Sequence, residues 1–162
     1  MASSVTLWRI GVDTPLYPAG DMTGVGARIS GGRWNHKGTA LVYASLSRAL
    51  ACLETVVHLS SGDALPLNRY LVEISVPANV WAARTVLDPA THVGWDAEPA
   101  GKVSRDWGTR WAAEHASPLL AEVPSVIVPE ELNVLINPNH PDAASLSSRK
   151  IRKWTYDARL RQ

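Results

Sequence analysis

GGRWNHKGTALVYASLSRALACLETVVH, residues 31–58, is the stretch whose reading decides the fold. Two glycines and Arg33-Trp34-Asn35 open it, and His36-Lys37-Gly38 reads as a turn. The apolar run Ala40-Leu41-Val42-Tyr43-Ala44 has the length and the β-branched and aromatic content of a buried strand. Ser45 or Ser47 then offers a helix N-cap, and Leu46, Leu50, Leu53 and Val57 recur at helical spacing. The order is loop, strand, helix, and each part carries one chemically loaded side chain: Arg33, Tyr43 and Glu54. Glu54 stands between Ala51-Cys52-Leu53 and Thr55-Val56-Val57. A carboxylate in such apolar company must be solvated, paired or used.

Outward from this segment, 162 residues fit one domain, 1–162, with a sizeable core. A content of 46% hydrophobic and 19% charged residues, with net charge +1, describes a folded domain and excludes a wholesale polyanion binder. No apolar run approaches the roughly 20 residues that span a bilayer. Met1-Ala2-Ser3-Ser4-Val5-Thr6 lacks the basic and apolar regions of a signal peptide, so a cytoplasmic location is expected. Cys52 is the lone cysteine, which rules out an intrachain disulfide, and it reads as a small core residue. Seven Trp and four Tyr with no Phe hint at a ligand with rings.

Val5–Val12 reads as a first strand that carries Arg9, either snorkelling at the strand edge or serving a site. Pro15–Gly26 reads as an irregular loop, Ser60–Asp63 with Pro66 as a second loop and Arg69–Val76 as a half-buried alternating strand. Val80-Trp81 and Thr85-Val86-Leu87 suggest short strands or turns, and Asp88–Gly101 a loop. Ser104–His115 looks helical, capped by Ser104, with Trp107 and Trp111 one turn apart as a core stripe or, alternatively, a stacking wall. Leu119–Val128 is a strand interrupted by Pro124, and Asn133–Asn137 is another. Asp142–Ser148 is a short helix or turn, and Ile151–Tyr156 closes the sheet.

The dispersed histidines carry no HExxH or cysteine pair, so no metal is expected. No Gly-x-Ser-x-Gly elbow supports a serine hydrolase. The basic residues Arg149, Lys150, Arg152, Lys153, Arg159 and Arg161 interleave with Trp154 and Tyr156. That pattern keeps a non-catalytic nucleic-acid-binding module as an alternative, although such charges also guard an edge strand. The remaining set is Arg33, Tyr43, Glu54 and Ser125. An arginine fork suits phosphate, a tyrosine face suits a heteroaromatic ring, and a carboxylate can hold ribose hydroxyls and stabilise an oxocarbenium-like centre. Together they describe cleavage of a nucleotide's N-glycosidic bond.

Gly31-Gly32-Arg33-Trp34-Asn35, Val42-Tyr43-Ala44-Ser45, Leu53-Glu54, Pro124-Ser125 and the run from Asn133 to Pro141 resemble the RES-domain family, toxins of bacterial type II toxin–antitoxin pairs. The resemblance runs from Trp8-Arg9 to about Leu160. It implies an α/β (α+β) fold of the ADP-ribosyltransferase-like kind, with central mixed sheets flanked by helices. It also implies NAD as substrate, cleaved at the nicotinamide–ribose bond by phosphorolysis or hydrolysis so that cellular NAD is depleted and growth stops. ADP-ribosylation of a target protein is the alternative. By position, Arg33, Glu54 and Ser125 would be the catalytic set. Arg33, Tyr43, Ser125 and the first-strand Arg9 would contact NAD. The implied partner is a helix-turn-helix (Xre-type) antitoxin, in a larger complex that can include a homodimer of this chain. Neither a membrane nor direct nucleic-acid binding is expected.

Overall fold

Period-two apolar runs become strands here, and the helices cover the faces those runs leave apolar. A computed structural model describes residues 4–60, 62 and 64–160. Ser61 and Asp63 of the expected loop, Arg161 of the basic tail and the first three residues lie outside the described residues. The elements run β1 (Val5–Val12), α1 (Val25–Ser30), β2 (Val42–Ser45), α2 (Arg48–Val56), β3 (Arg69–Val76), α3 (Ala78–Ala82), β4 (Thr85–Val86), α4 (Lys102–Ala113), β5 (Leu120–Pro124), β6 (Leu132–Ile136) and β7 (Ser147–Lys153). Short 3-10 turns occur at Pro89–Thr91, Pro141–Ser145 and Ala158–Leu160.

Among the described residues seven strands form one mixed sheet in the order β4-β5-β6-β2-β1-β3-β7. Its neighbours are antiparallel except β4 and β5. β1 pairs with β3 along its whole length, from Val5 opposite Val76 to Val12 opposite Arg69. Its other edge meets β2 only at Trp8 opposite Ser45. The sheet is therefore two halves joined at one residue pair, and the halves part beyond it.

One face carries a continuous core of Leu7, Val42, Ala44, Val72, Ile74, Val134 and Ile136. The other face is divided. Trp34, Leu41, Trp95, Trp111, Val123 and Leu135 pack over the β5-β6-β2 half, whereas Trp8, Ile10, Ala51 and Leu71 pack over the β1-β3 half. α2 crosses the second region, and its Leu50, Ala51 and Cys52 are buried. Its N-cap is Ser47, whose side chain accepts from the Leu50 N–H.

Several expectations are corrected. The Pro15–Gly26 loop gives way to α1 at Val25, because Gly24 takes φ 70° and accepts the first helical bond from Arg28. Val80-Trp81 lies in a short helix, not a strand, launched by the Pro77 carbonyl accepting from the Trp81 N–H. α4 begins at Lys102 with Gly101 as its N-cap; Ser104 sits inside the helix and is fully buried. β5 stops at Pro124, since Ser125 starts a turn. The last strand is Ser147–Lys153 and not Ile151–Tyr156: the open edge of β3 recruits backbone, so polar Ser147 and Ser148 pair as well as apolar residues would. No helix among the described residues is long and apolar enough to cross a membrane.

Candidate functional site

Where β1 and β2 diverge, a cavity of about 960 Å³ opens, at the upper end of the range for ligand pockets. Its walls include Trp8, Arg9 and Ile10 from β1, Tyr43 and Ser45 from β2, Glu54 and Thr55 from α2, and Gly31–Arg33 from the loop before β2. Arg105 of α4, Asn133 of β6, His58 and Glu98 also line it.

The register of β2 against β6 places Ser45 opposite Asn133, and the Ser45 hydroxyl donates to Asn133 Oδ1 at 2.6 Å. This fixes the amide, so Asn133 Nδ2 donates to Glu54 Oε1 at 2.6 Å. Ser125 Oγ donates to the same oxygen at 2.7 Å. Ser125 in turn accepts from the N–H groups of Ile127 and Val128 at 3.1 and 3.2 Å. A chain of hydrogen bonds thus runs from the sheet through Asn133 and from the β5 turn through Ser125 to one carboxylate oxygen. The other, Oε2, has no hydrogen-bond partner among the described residues, and Glu54 lines the cavity. Ser125 is fully buried behind Glu54.

Arg33 is held by three bonds from its terminal nitrogens: to the carbonyls of Trp95 (3.3 Å) and Ala97 (2.8 Å), and to Glu98 Oε2 (2.6 Å). The Glu98 side chain is 75% exposed, so water screens this pair. Arg9 Nη1 donates to the Asp21 carbonyl at 3.0 Å. Burial lowers its guanidinium pKa, opposed by the charges of Asp21 and Tyr17. The Tyr43 hydroxyl donates to Asn35 Oδ1 and accepts from the Trp34 N–H. Burial raises its pKa well above the ordinary phenol range, so the hydroxyl stays a donor and the ring is pinned by its tip.

The two glycines of the quoted stretch serve different needs. Gly31 takes φ 71°, a left-handed angle. At Gly32, a β-carbon would lie 2.7 Å from the Tyr43 hydroxyl oxygen, so only glycine admits the tyrosine. Gly108 similarly lets α4 lie against this loop, since a β-carbon there would sit 1.9 Å from the Trp34 carbonyl oxygen.

All five residues singled out in the sequence surround this region: Arg9, Arg33, Tyr43 and Glu54 on the cavity wall, and Ser125 one layer behind. Sequence reasoning missed Arg105, Asn133 and Ser45 as parts of the site. Asn133 and Ser45 are legible only once the strand register is known, and Arg105 carries no local signal beyond its place beside the Trp107 stripe. Burial pushes the Cys52 thiol pKa up, in keeping with a core residue and not a nucleophile. No group of three His, Cys, Asp or Glu side chains among the described residues is placed to hold a metal ion.

Sheet and cavity define a mixed α+β domain with a carboxylate-bearing ligand cleft in a seam of its sheet. The RES domain matches residues 6–159. Over 158 residues, 97% of each chain, the sequence is 60% identical to the Prs ADP-ribosylating toxin of Sphingobium sp. (strain YBL2). It is 38% identical over 147 residues to Toxin Res of Yersinia enterocolitica, covering 90% of this chain and 93% of that one. With Toxin Res of Pseudomonas putida it shares 37% identity over 155 residues, 95% and 98% of the two chains. The chain belongs to the RES-domain family.

Proposed function

We propose that this chain is a toxin that cleaves the nicotinamide–ribose bond of NAD and passes the ADP-ribosyl group to an acceptor. The observation that carries the reading is Glu54, with one oxygen fixed by Ser125 and Asn133 and the other left for a ligand. The cavity's volume suits a dinucleotide, and its wall combines an aromatic ring with arginines and a carboxylate.

Tyr43 presents its ring to the nicotinamide. Arg33 and Arg9 supply positive charge to the pyrophosphate, with Glu98 giving way at Arg33. Glu54 Oε2 holds the nicotinamide ribose and stabilises the positive charge that develops at the anomeric carbon. The carbon–nitrogen bond breaks with its electron pair going to nicotinamide, which departs neutral, so no general acid is needed. A nucleophile then bonds to the anomeric carbon and loses its proton to solvent. Ser125 acts through Glu54, by holding the carboxylate in place.

Depletion of NAD by transfer to phosphate or water is one outcome, and protein modification is the other. The 60% identical relative is named an ADP-ribosylating toxin. That name supports a protein side chain as acceptor, and Prs is the first to test. The toxin names of the other relatives support a neutralising antitoxin, with a helix-turn-helix protein and a complex containing two toxin copies as the arrangement proposed. Within the basic tail, Arg149 pairs with Glu73, Lys150 with Asp13, and Arg152 lies over Trp154, as expected of charges that guard an edge strand.

The test incubates purified protein with NAD, with and without phosphate, and follows nicotinamide release. A parallel reaction with labelled NAD and Prs reads label on protein. Release that depends on phosphate would select phosphorolysis, and label on Prs would select protein transfer. Neither release nor label would sink the proposal.

A further inference from the structure

Three arginines line the cavity, and they differ in what already occupies them. Arg33 spends its terminal nitrogens on two carbonyls and the Glu98 carboxylate. Arg9 donates to the Asp21 carbonyl and feels the Asp21 charge. Arg105 makes one hydrogen bond, from Nε to the Gly32 carbonyl at 3.3 Å. Its two terminal nitrogens have no protein partner among the described residues. The acid next to it in sequence, Asp106, is taken by His36 at 2.6 Å and by Lys102 at 3.7 Å.

A half-buried guanidinium in an open cleft is solvated there by water, and its free terminal nitrogens can exchange that water for an anion. The Nε bond to Gly32 orients the planar fork, since fixing one nitrogen leaves the terminal pair as a preorganised two-point donor. Gly32 immediately precedes Arg33, so the bond also ties the two arginines to one loop. Gly32, which accepts the Arg105 bond, packs directly against the Tyr43 hydroxyl, which puts Arg105 at the tyrosine end of the cavity.

We propose that Arg105 is a ligand-binding residue of this site: its free terminal nitrogens grip a pyrophosphate oxygen of the bound dinucleotide. The assignment rests on the NAD reading above and refines it. Arg105 is the cation available at once, whereas Arg33 first has to release Glu98. Phosphate recognition therefore begins on α4, and the loop arginine joins it.

The test measures ADP-ribose binding to the full chain by calorimetry, for wild type, Arg105→Ala and Arg105→Gln. Glutamine keeps a donor for the Gly32 carbonyl without the charge, so it guards against loss of the loop. Both variants should weaken ADP-ribose by roughly 10- to 100-fold, the range of a charge-assisted hydrogen bond. In turnover the KM for NAD should rise in parallel while kcat stays within about threefold. Inhibition by nicotinamide, which has no phosphate, should be unchanged. Unaltered ADP-ribose affinity in the glutamine variant would overturn the assignment, and so would equal weakening of ADP-ribose and nicotinamide, the mark of a collapsed pocket. If wild type binds ADP-ribose but releases no nicotinamide from NAD, the cleavage reading falls and the Arg105 contact stands. If wild type binds no ADP-ribose, the Arg105 assignment falls, and nicotinamide release from NAD still decides the cleavage reading.

Discussion

Glu54 Oε1 receives two donors, from Ser125 and Asn133, and this asymmetry separates the roles of three residues. Replacing Glu54 by Gln keeps the size and removes the charge, so kcat should fall by about 10²–10³-fold with melting temperature nearly unchanged. Loss of the Ser125 hydroxyl, as in Ser125→Ala, leaves the carboxylate in place with one donor fewer. Its kcat should fall by roughly tenfold, the lower end of what a hydrogen bond to a charged group supplies. In the double variant the Ser125 change should add almost nothing, because a positioning residue has nothing left to position. Full additivity in that cycle would instead mean that Ser125 touches the substrate independently. Glu98 calls for the opposite kind of change. It pairs with Arg33 from a largely exposed side chain, and such pairs contribute about 0.2–1 kcal/mol. Glu98→Gln should therefore lower the KM for NAD by roughly two- to fivefold, and steady-state kinetics would show a rise if Glu98 contacted substrate instead.

At the scale of elements, α4 contributes Arg105 to the cavity wall and holds the arginine loop, which it touches at four points. Arg105 reaches Gly32, Asp106 pairs with His36, Thr109 Oγ1 accepts from the His36 N–H, and Gly108 lies against Trp34. Gly108→Ala cannot be accommodated without a shift of backbone, so it should cost about 1–3 kcal/mol by thermal unfolding and weaken NAD binding with it. The Asp106 carboxyl is held below its ordinary value chiefly by its hydrogen bond to His36. A lowered folded-state pKa contributes stability above the unfolded value near 3.8 and loses it as pH falls through the folded one. Asp106→Asn should thus lower the melting temperature at neutral pH, and the gap to wild type should close under acid conditions. None of these docking contacts was legible in advance. A contact between a helix and a loop some 70 residues away leaves no trace in local pattern, and a glycine inside a helix, such as Gly108, carries no local sign of the neighbour it admits. What was legible was periodic: Val5–Val12, Arg69–Val76 and the strand–helix of Ala40–Val57 all appear at nearly the expected limits. The strand at Ser147–Lys153 was misplaced because its partner, not its composition, decides it.

At the scale of the whole molecule, the residues read as a site came from five separate segments of the chain, and the sheet's division explains why they meet. Arg9 belongs to one half-sheet and Tyr43 to the other, with Glu54 on the helix beside their junction. The sequence could nominate these side chains by chemistry, yet the seam itself was invisible, since nothing in Val5–Val12 distinguishes a fully paired edge from an open one. That single Trp8–Ser45 pairing has a mechanical consequence. A ligand lying in the seam works as a cross-brace between two plates that are hydrogen-bonded to each other at one position and share a core on the opposite face. At a hundredfold excess over its dissociation constant it should add about 2.7 kcal/mol, or roughly 5–10 °C of melting temperature. The gain should be local as well as global. Amide hydrogen exchange should slow most along β1 and β2, where the plates face each other, and least in β7 at the far edge. Empty, the protein should breathe along this line, and each turnover would then require the plates to loosen before the spent nucleotide can leave.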